Sequence, residues 1–349
     1  MNDLHEVREL WSEAAEPSAA RLAAVRERLL EETRSGEQPD GVRVRRPRRV
    51  WAIRTAVAGT LVAAATAGVV VLPSGDGPGP APANAAELLT RAAAAAGDGR
   101  DIEPRPGQFV YQESTALELA TGNDNDTAPW FRKVRYQQWQ RADGAVPVYR
   151  RTTLLGVVPL RGGKVSSRTM QLARIDTGGR FLPCASQPTE PNAPYAAHAK
   201  LPTDPAPLRS ALAARVDAGQ RAELTQDQAV WVNLTGLVSA PTPSKVQAAL
   251  FTVARQIKGA RLSGGTTDAA GRPGLAVTFD ARPGEREDLI FDAKTYRLLG
   301  HRSVWTGAGD TPPSGTTTGD VAVTKTSVVD SLPAGVSTSG HTCPAASGG

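Results

Sequence analysis

Aromatic residues are scarce in this chain: six Trp, five Tyr and six Phe among 349 residues. Two cysteines exclude a disulfide-dense scaffold and any four-cysteine zinc site. Four scattered histidines exclude a histidine-rich metal centre. The sequence holds no G-x-S-x-G elbow, no phosphate-binding P-loop, no H-E-x-x-H and no dinucleotide fingerprint after a strand. It therefore assigns no catalytic residue, no metal ligand and no cofactor. A Ser/His/Asp site, whose members meet only in space, leaves an exported hydrolase as a minor alternative. His198 and His301 belong to no motif. Gly162-Gly163-Lys164 and Gly264-Gly265 read as short turns, and Glu285-Arg286-Glu287-Asp288 as a solvated turn before a strand. Asn233-Leu234-Thr235 matches a glycosylation acceptor but falls in an expected helix.

Charge is informative once it is located. The net +5 is unevenly spread. Residues 1–40 hold ten acidic and five basic residues, whereas residues 41–54 hold six arginines and no acid. Directly after them, Thr55 to Leu72 is an eighteen-residue run without a charge, and Trp51 extends it to 22 residues interrupted only by Arg54. About 20 apolar residues cross a bilayer. Arg54 can snorkel to the headgroups, and Trp51 suits the interface. The arginines on its N-terminal flank place the N-terminus in the cytoplasm. A buried core helix and a signal peptide cleaved at Ala83-Asn84-Ala85 are the alternatives. That tripeptide lies eleven residues beyond the run, so an uncleaved anchor is favoured. The arginines suffice as a topology signal and as an anchor on anionic lipid. They come with no nucleic-acid-binding fold pattern, so no nucleic-acid partner is expected.

The chain divides accordingly. Residues 1–48 form a short helical cytoplasmic segment with an arginine-rich juxtamembrane end. Leu4, Val7, Trp11 and Ala14, then Leu22, Val25 and Leu29, recur at helical spacing. Residues 1–40 are either a loose tail or a docking element that folds on a cytoplasmic protein partner. The transmembrane helix spans 49–72, and a Pro/Gly linker spans 73–85, with PSGDGPGPAPAN at 73–84. An extracytoplasmic domain occupies 86–330, and a flexible tail 331–349.

Within 86–330 a short helix, Ala86 to Ala96, precedes strands from Gln108. In WFRKVRYQQW, Trp130, Val134 and Tyr136 share one face, and Phe131 and Trp139 the other. Val148 to Val158 and Val165 to Ile175 are further strand candidates. Three helices follow. Asp204-Pro205 opens the first, Thr225 and Gln228 form a capping box for the second, and Thr242-Pro243 opens the third. Strands return at Leu275 to Phe279, in a hairpin from Leu289 to Trp305 turning at 292–295, and at Val321 to Val329; Gly307 to Gly319 is a loop. Strands, then helices, then strands define an α+β domain, an antiparallel sheet with helices on one side. Cys184 and Cys343 both fall outside the membrane, where oxidation is permitted. A disulfide between them would pin the tail to the domain; two unpaired thiols are the alternative.

Several stretches carry a resemblance. They are Pro-Arg-Pro-Gly-Gln at 104–108, Leu-Pro-Thr-Asp-Pro at 201–205 and the helix end near Lys258-Gly259. Most specific are TDAAGRPG at 267–274, LIFD at 289–292 and TYRLLG at 295–300, in which Asp292 and Gly300 suit turns. With the arginine-rich approach to the span, these resemble a family of actinobacterial single-span membrane proteins often encoded beside extracytoplasmic-function sigma factors. The external domain is more distantly similar to curved-sheet lipoprotein carriers and envelope-stress sensors. That likeness implies a half-open barrel around helices that holds an apolar ligand or a partner peptide. The expected function is a non-catalytic ligand-binding or sensing domain accessory to sigma-factor signalling; the alternative is a membrane-tethered carrier of lipid or another apolar ligand. Residues 1–50 contain no cysteine and only His5, so the similarity does not extend to the zinc-containing anti-sigma type.

Overall fold

A computed structural model describes residues 81–99, 101–120, 129–160, 164–215, 223–308 and 312–344. The expected cytoplasmic segment, the span 49–72 and most of the linker lie outside the described residues. No helix among the described residues is long and apolar enough to cross a membrane.

Asn84 starts α1 (Ala85–Gly97): its side chain accepts from the Glu87 amide at 2.9 Å. The strands β1 (Phe109–Ala120), β2 (Trp130–Arg141) and β3 (Tyr149–Pro159) follow as antiparallel neighbours. The segment Val165 to Ile175, expected as a strand, is instead α2 (Ser167–Ala173). Ser166 caps it at 2.9 Å from the Thr169 amide. Thr169 and Ala173, four residues apart, are the buried pair, while Ile175 stands 69% exposed. A strand would have buried alternate residues. The short β4 (Gly178–Phe181) then pairs with β3. Its two glycines conceal it in the sequence, yet Gly179 has a packing reason. The Tyr149 ring lies across it, and a Cβ there would fall 1.8 Å from the phenol oxygen.

The middle helices are α3 (Tyr195–His198), α4 (Pro205–Ala214), α5 (Gln226–Val238) and α6 (Ser244–Arg255). Proline at the first position opens α4, and the Thr225–Gln228 capping box opens α5 as the spacing predicts. The Asp204 side chain makes no capping bond. The chain ends in a five-stranded meander: β5 (Arg261–Thr267), β6 (Pro273–Arg282), β7 (Glu285–Phe291), β8 (Leu298–Trp305) and β9 (Thr317–Val329). Gly264 and Gly265 lie in β5 at a bulge, not in a turn. Asp292 does cap the β7–β8 turn, accepting from the Lys294 and Thr295 amides at 3.0 and 2.7 Å. Gly300 is inside β8, where a Cβ would sit 1.8 Å from the Val321 carbonyl oxygen. The left-handed residue of the turn is Tyr296 (φ 55°), held by Arg91 of α1, which donates to its hydroxyl at 2.6 Å.

The nine strands form one antiparallel sheet in the order β4-β3-β2-β1-β9-β8-β7-β6-β5. Because β9 returns to β1, the two meanders join at the centre and the sheet stays unclosed. Bulges at Glu113/Ser114, Lys133/Val134 and Ser263/Gly265 help curve it. The main core lies between the helices and the β5–β8 half. Leu88 and Leu89 of α1, Leu208 and Leu212 of α4, Trp231 and Leu234 of α5, and Leu250 and Phe251 of α6 pack against Val277, Leu289 and Phe291. On the opposite face, Tyr111, Trp139, Tyr149, Phe181 and His341 form a ladder of ring contacts 3.9–5.7 Å apart. No helix or strand forms over 331–344, yet Leu332 and Val336 pack on this ladder. Cys343, bonded to Cys184, fastens the far end.

The acidic stretch 285–288 is not a solvated turn. It belongs to β7, and Glu287 and Asp288 are buried. Asp288 pairs with Arg286 on the outer face at 2.8 Å. There Asp320 also takes Arg302 at 2.6 Å, and burial pushes the acid up to about 6. Glu287 points into the helix side. Burial pushes its carboxyl up to about 7. Thr235 Oγ1 lies 2.7 Å from Glu287 Oε2 and 3.0 Å from the Val232 carbonyl oxygen. A hydroxyl has one proton, so a protonated Glu287 that donates to Thr235 lets Thr235 donate to Val232 and satisfies all three groups.

The sign of the pH effect follows. An unfolded glutamate ionises near 4.5, and the folded one near 7. The stabilisation tied to the protonated form is complete below about pH 4.5 and is lost as pH rises through 7. It amounts to about 3 kcal/mol at 1.36 kcal/mol per pH unit. His301, which burial pushes down to about 4, acts with the opposite sign, and Asp320, pushed up to about 6, with the same sign, so the wild-type profile sums several groups. The prediction therefore concerns Glu287→Gln. Its stability relative to wild type should rise between pH 5 and 8 in urea titrations, and a flat difference would refute the buried-acid account.

Candidate functional site

The helix layer and the centre of the sheet enclose a cleft of about 360 Å³. Gln112 of β1 and Val323 and Thr326 of β9 are its floor. One wall is the last turns of α1, where Ala92, Ala95 and Ala96 face α6. The alanine run of the sequence leaves this space open, since larger side chains at these positions would fill it. The corner from Val238 to Ser244, which joins α5 to α6, is the other wall.

That corner is held by side chains from four other elements. The Gln112 amide donates to the Ser239 carbonyl at 2.9 Å. Ser239 Oγ lies 2.9 Å from His301 Nδ1 of β8. His198 of α3 sits between two carbonyl oxygens, 2.9 Å from that of Pro241 and 3.0 Å from that of Glu190. Burial pushes the His198 imidazole down while both acceptors favour its protonated form. Pro243, the N-cap of α6, has no side-chain acceptor, so Asp101 supplies one by accepting from the Ser244 amide at 2.5 Å. With these bonds made, Thr242 Oγ1 remains buried in the corner with no hydrogen-bond partner among the described residues. Arg297 is exposed at the mouth, and no described group bonds its side chain.

The fold thus brings together groups that the sequence left apart. His198 and His301, about a hundred residues distant, brace the same corner. The pairing of Ser239 with His301 uses Nδ1, and no carboxylate among the described residues bonds the ring. The imidazole is also pushed to about 4, which makes it a weak base at neutral pH. This pair suits positioning better than nucleophilic attack. Asn233 of the glycosylation-like triplet is buried in α5 and donates to the Leu212 and Ala229 carbonyls at 2.8 and 3.1 Å. No group of three or more His, Cys, Asp or Glu side chains could hold a metal ion among the described residues. Cys184 and Cys343 are disulfide-bonded away from the cleft. Gln112, Thr242 and Arg297 had no local signal, because the floor and mouth are set by strand order.

No family model matches the chain, and no curated protein matches it. Among solved structures, one match is the Pseudomonas aeruginosa MucA/MucB complex, at 12% identity and TM-score 0.21, covering 72% of this chain and 59% of that one. Another is MucB in complex with MucA(peri), at 12% identity and TM-score 0.20, covering 72% and 57%. The chain spans less than two thirds of the length of either.

Proposed function

We propose that this chain is a single-pass membrane protein whose extracytoplasmic domain is a non-catalytic binding and sensing module, with its ligand in the cleft between α1, the α5–α6 corner and the floor of β1 and β9. The carrying observation is that the cleft is preformed. Its corner is braced from four sides, while Thr242 Oγ1 and the Arg297 side chain, two polar groups suited to a ligand, have no hydrogen-bond partner among the described residues. Small-molecule sites combine apolar walls with a few such groups. The arginine step and the uncharged run 55–72 support anchoring with the N-terminus inside. The resemblance of 267–274 and 295–300 to proteins encoded beside sigma factors supports a signalling role, with residues 1–40 meeting a cytoplasmic protein.

The test uses the full chain in nanodiscs and in cells. Native mass spectrometry is expected to find a bound small molecule on the wild type that is absent from Ala96→Trp, which fills the cleft. Deleting residues 1–40 is expected to change transcription of the neighbouring regulon while the protein stays in the membrane. Equal occupancy in both proteins would remove the cleft as the site. Unchanged transcription with occupancy retained would make the domain a tethered carrier.

A further inference from the structure

One cross-strand rung of the sheet runs out of the cleft to the sheet edge. Thr326 of β9 faces Gln112 of β1, Gln112 faces Gln138 of β2, Gln138 faces Arg150 of β3, and Arg150 faces Arg180 of β4. Residues directly opposite in a ladder share a face, and Gln112 fixes it as the helix side through its bond to Ser239. Two arginines therefore stand directly opposite each other on neighbouring strands, roughly 10–15 Å from the cleft floor at about 4.8 Å per strand.

Like charges in this position repel, and among the described residues no carboxylate bonds Arg150 directly; Glu118 acts on it only through space. Its guanidinium lies 5.0 Å from the Tyr136 ring centroid. The Gln138 amide, with its oxygen turned toward it, accepts from Nε at 3.1 Å and Nη2 at 3.0 Å. Both partners are neutral. The carboxylate whose charge reaches Arg150, Glu118, is engaged by Arg132 at 2.7 Å and by the Tyr136 hydroxyl. No carboxylate among the described residues pairs with Arg150, although it is only partly exposed. Burial, and after it the Arg180 charge, disfavour its cationic form, while Tyr136 and Glu118 act the other way. Arg180 is exposed and bonds Asp176 through Nη1 alone at 2.5 Å, leaving Nε and Nη2 available. Arg150 likewise keeps Nη1.

We propose that Arg150 and Arg180 form a binding site for a phosphate group, free or carried on a lipid headgroup. A phosphate placed between the two guanidiniums would accept from both and cancel their repulsion through charge-assisted bonds. Tyr136 and Gln138 hold Arg150 in place for it. The rung starts at the cleft described above, but the site stands on the arginines and does not depend on the cleft being filled.

The experiment takes the full chain in nanodiscs of zwitterionic lipid and titrates inorganic phosphate at constant ionic strength against chloride. Hydrogen exchange of β3 and β4 and calorimetry are the readouts. Arg150→Gln and Arg180→Gln are each expected to weaken binding at least tenfold. Arg180 is exposed, so its variant keeps the fold. Arg261→Gln, the same charge change at the opposite sheet edge, is expected to change nothing. A second arm replaces part of the lipid with phosphatidylglycerol. Protection of β3 and β4 there, without a response to inorganic phosphate and lost in both variants, identifies the lipid headgroup as the source. No response in either arm, or equal losses in Arg261→Gln, would overturn the proposal. Ala96→Trp is expected to bind phosphate like the wild type, so failure of the cleft and failure of this site are read separately.

Discussion

Replacing Trp231 by Ala is expected to destabilise the domain by about 3–5 kcal/mol. Trp231 is fully buried in α5, and its ring centroid lies 5.0 Å from that of Phe279 on β6. It is thus the largest side chain joining the helix layer to the sheet. The surrounding Leu234, Leu250 and Phe251 are anchored on two different helices, so the space cannot close by shifting one residue. Trp231→Phe provides the contrast. Trp231 Nε1 is buried with no hydrogen-bond partner among the described residues. Removing that N–H recovers part of its desolvation cost, so the loss should stay below about 2 kcal/mol. Guanidinium unfolding midpoints at unchanged slope measure both. A loss in Trp231→Ala of under about 1 kcal/mol would mean that the helix layer is not seated on β6 as described.

Removing the Cys184–Cys343 bond is expected to destabilise by about 2–5 kcal/mol. The bond closes a loop of 159 residues in sequence separation, so most of the effect lies in the unfolded chain, which gains freedom when the link is cut. A second part is local. Without the link, Leu332, Val336 and His341 are held on the aromatic ladder only by their own contacts. The double variant Cys184→Ala/Cys343→Ala should therefore show a lower unfolding midpoint and faster amide exchange over 331–344, with the β5–β8 half keeping its protection order. A midpoint equal to the wild type would show that the tail is held by packing alone.

Neither effect could have been sized from sequence. Helical spacing marks Leu208, Leu212 and Val216, and Val230 with Leu234 and Leu237, as faces; Val216 lies outside the described residues, and the other five are buried. Nothing local identifies Phe279 as the partner of Trp231. The cysteines were evident as a pair to be tested, but their closeness depends on β4 ending beside the tail. The cleft was still less legible. Its corner is braced by Gln112, His198, His301 and Asp101, which come from β1, α3, β8 and the chain after α1. Each alone is an ordinary polar residue.

The sequence by itself determined what depends on near neighbours along the chain. The charge step at 41–54 and the uncharged run 55–72 set the expected topology through local electrostatics and hydropathy. Capping at Thr225–Gln228, alternation in β2 and β6, and the order of strands and helices set the α+β class. Tertiary structure decided what depends on strand register and layer order. It made 167–173 a helix because Thr169 and Ala173 needed one buried side, and it buried Glu287 because β7 places it under α5. It also paired β9 with β1, so that one rung links the cleft to Arg150 and Arg180. Such pairings join residues as far apart as Phe109 and Val329, and their free energy comes from contacts that no local window contains.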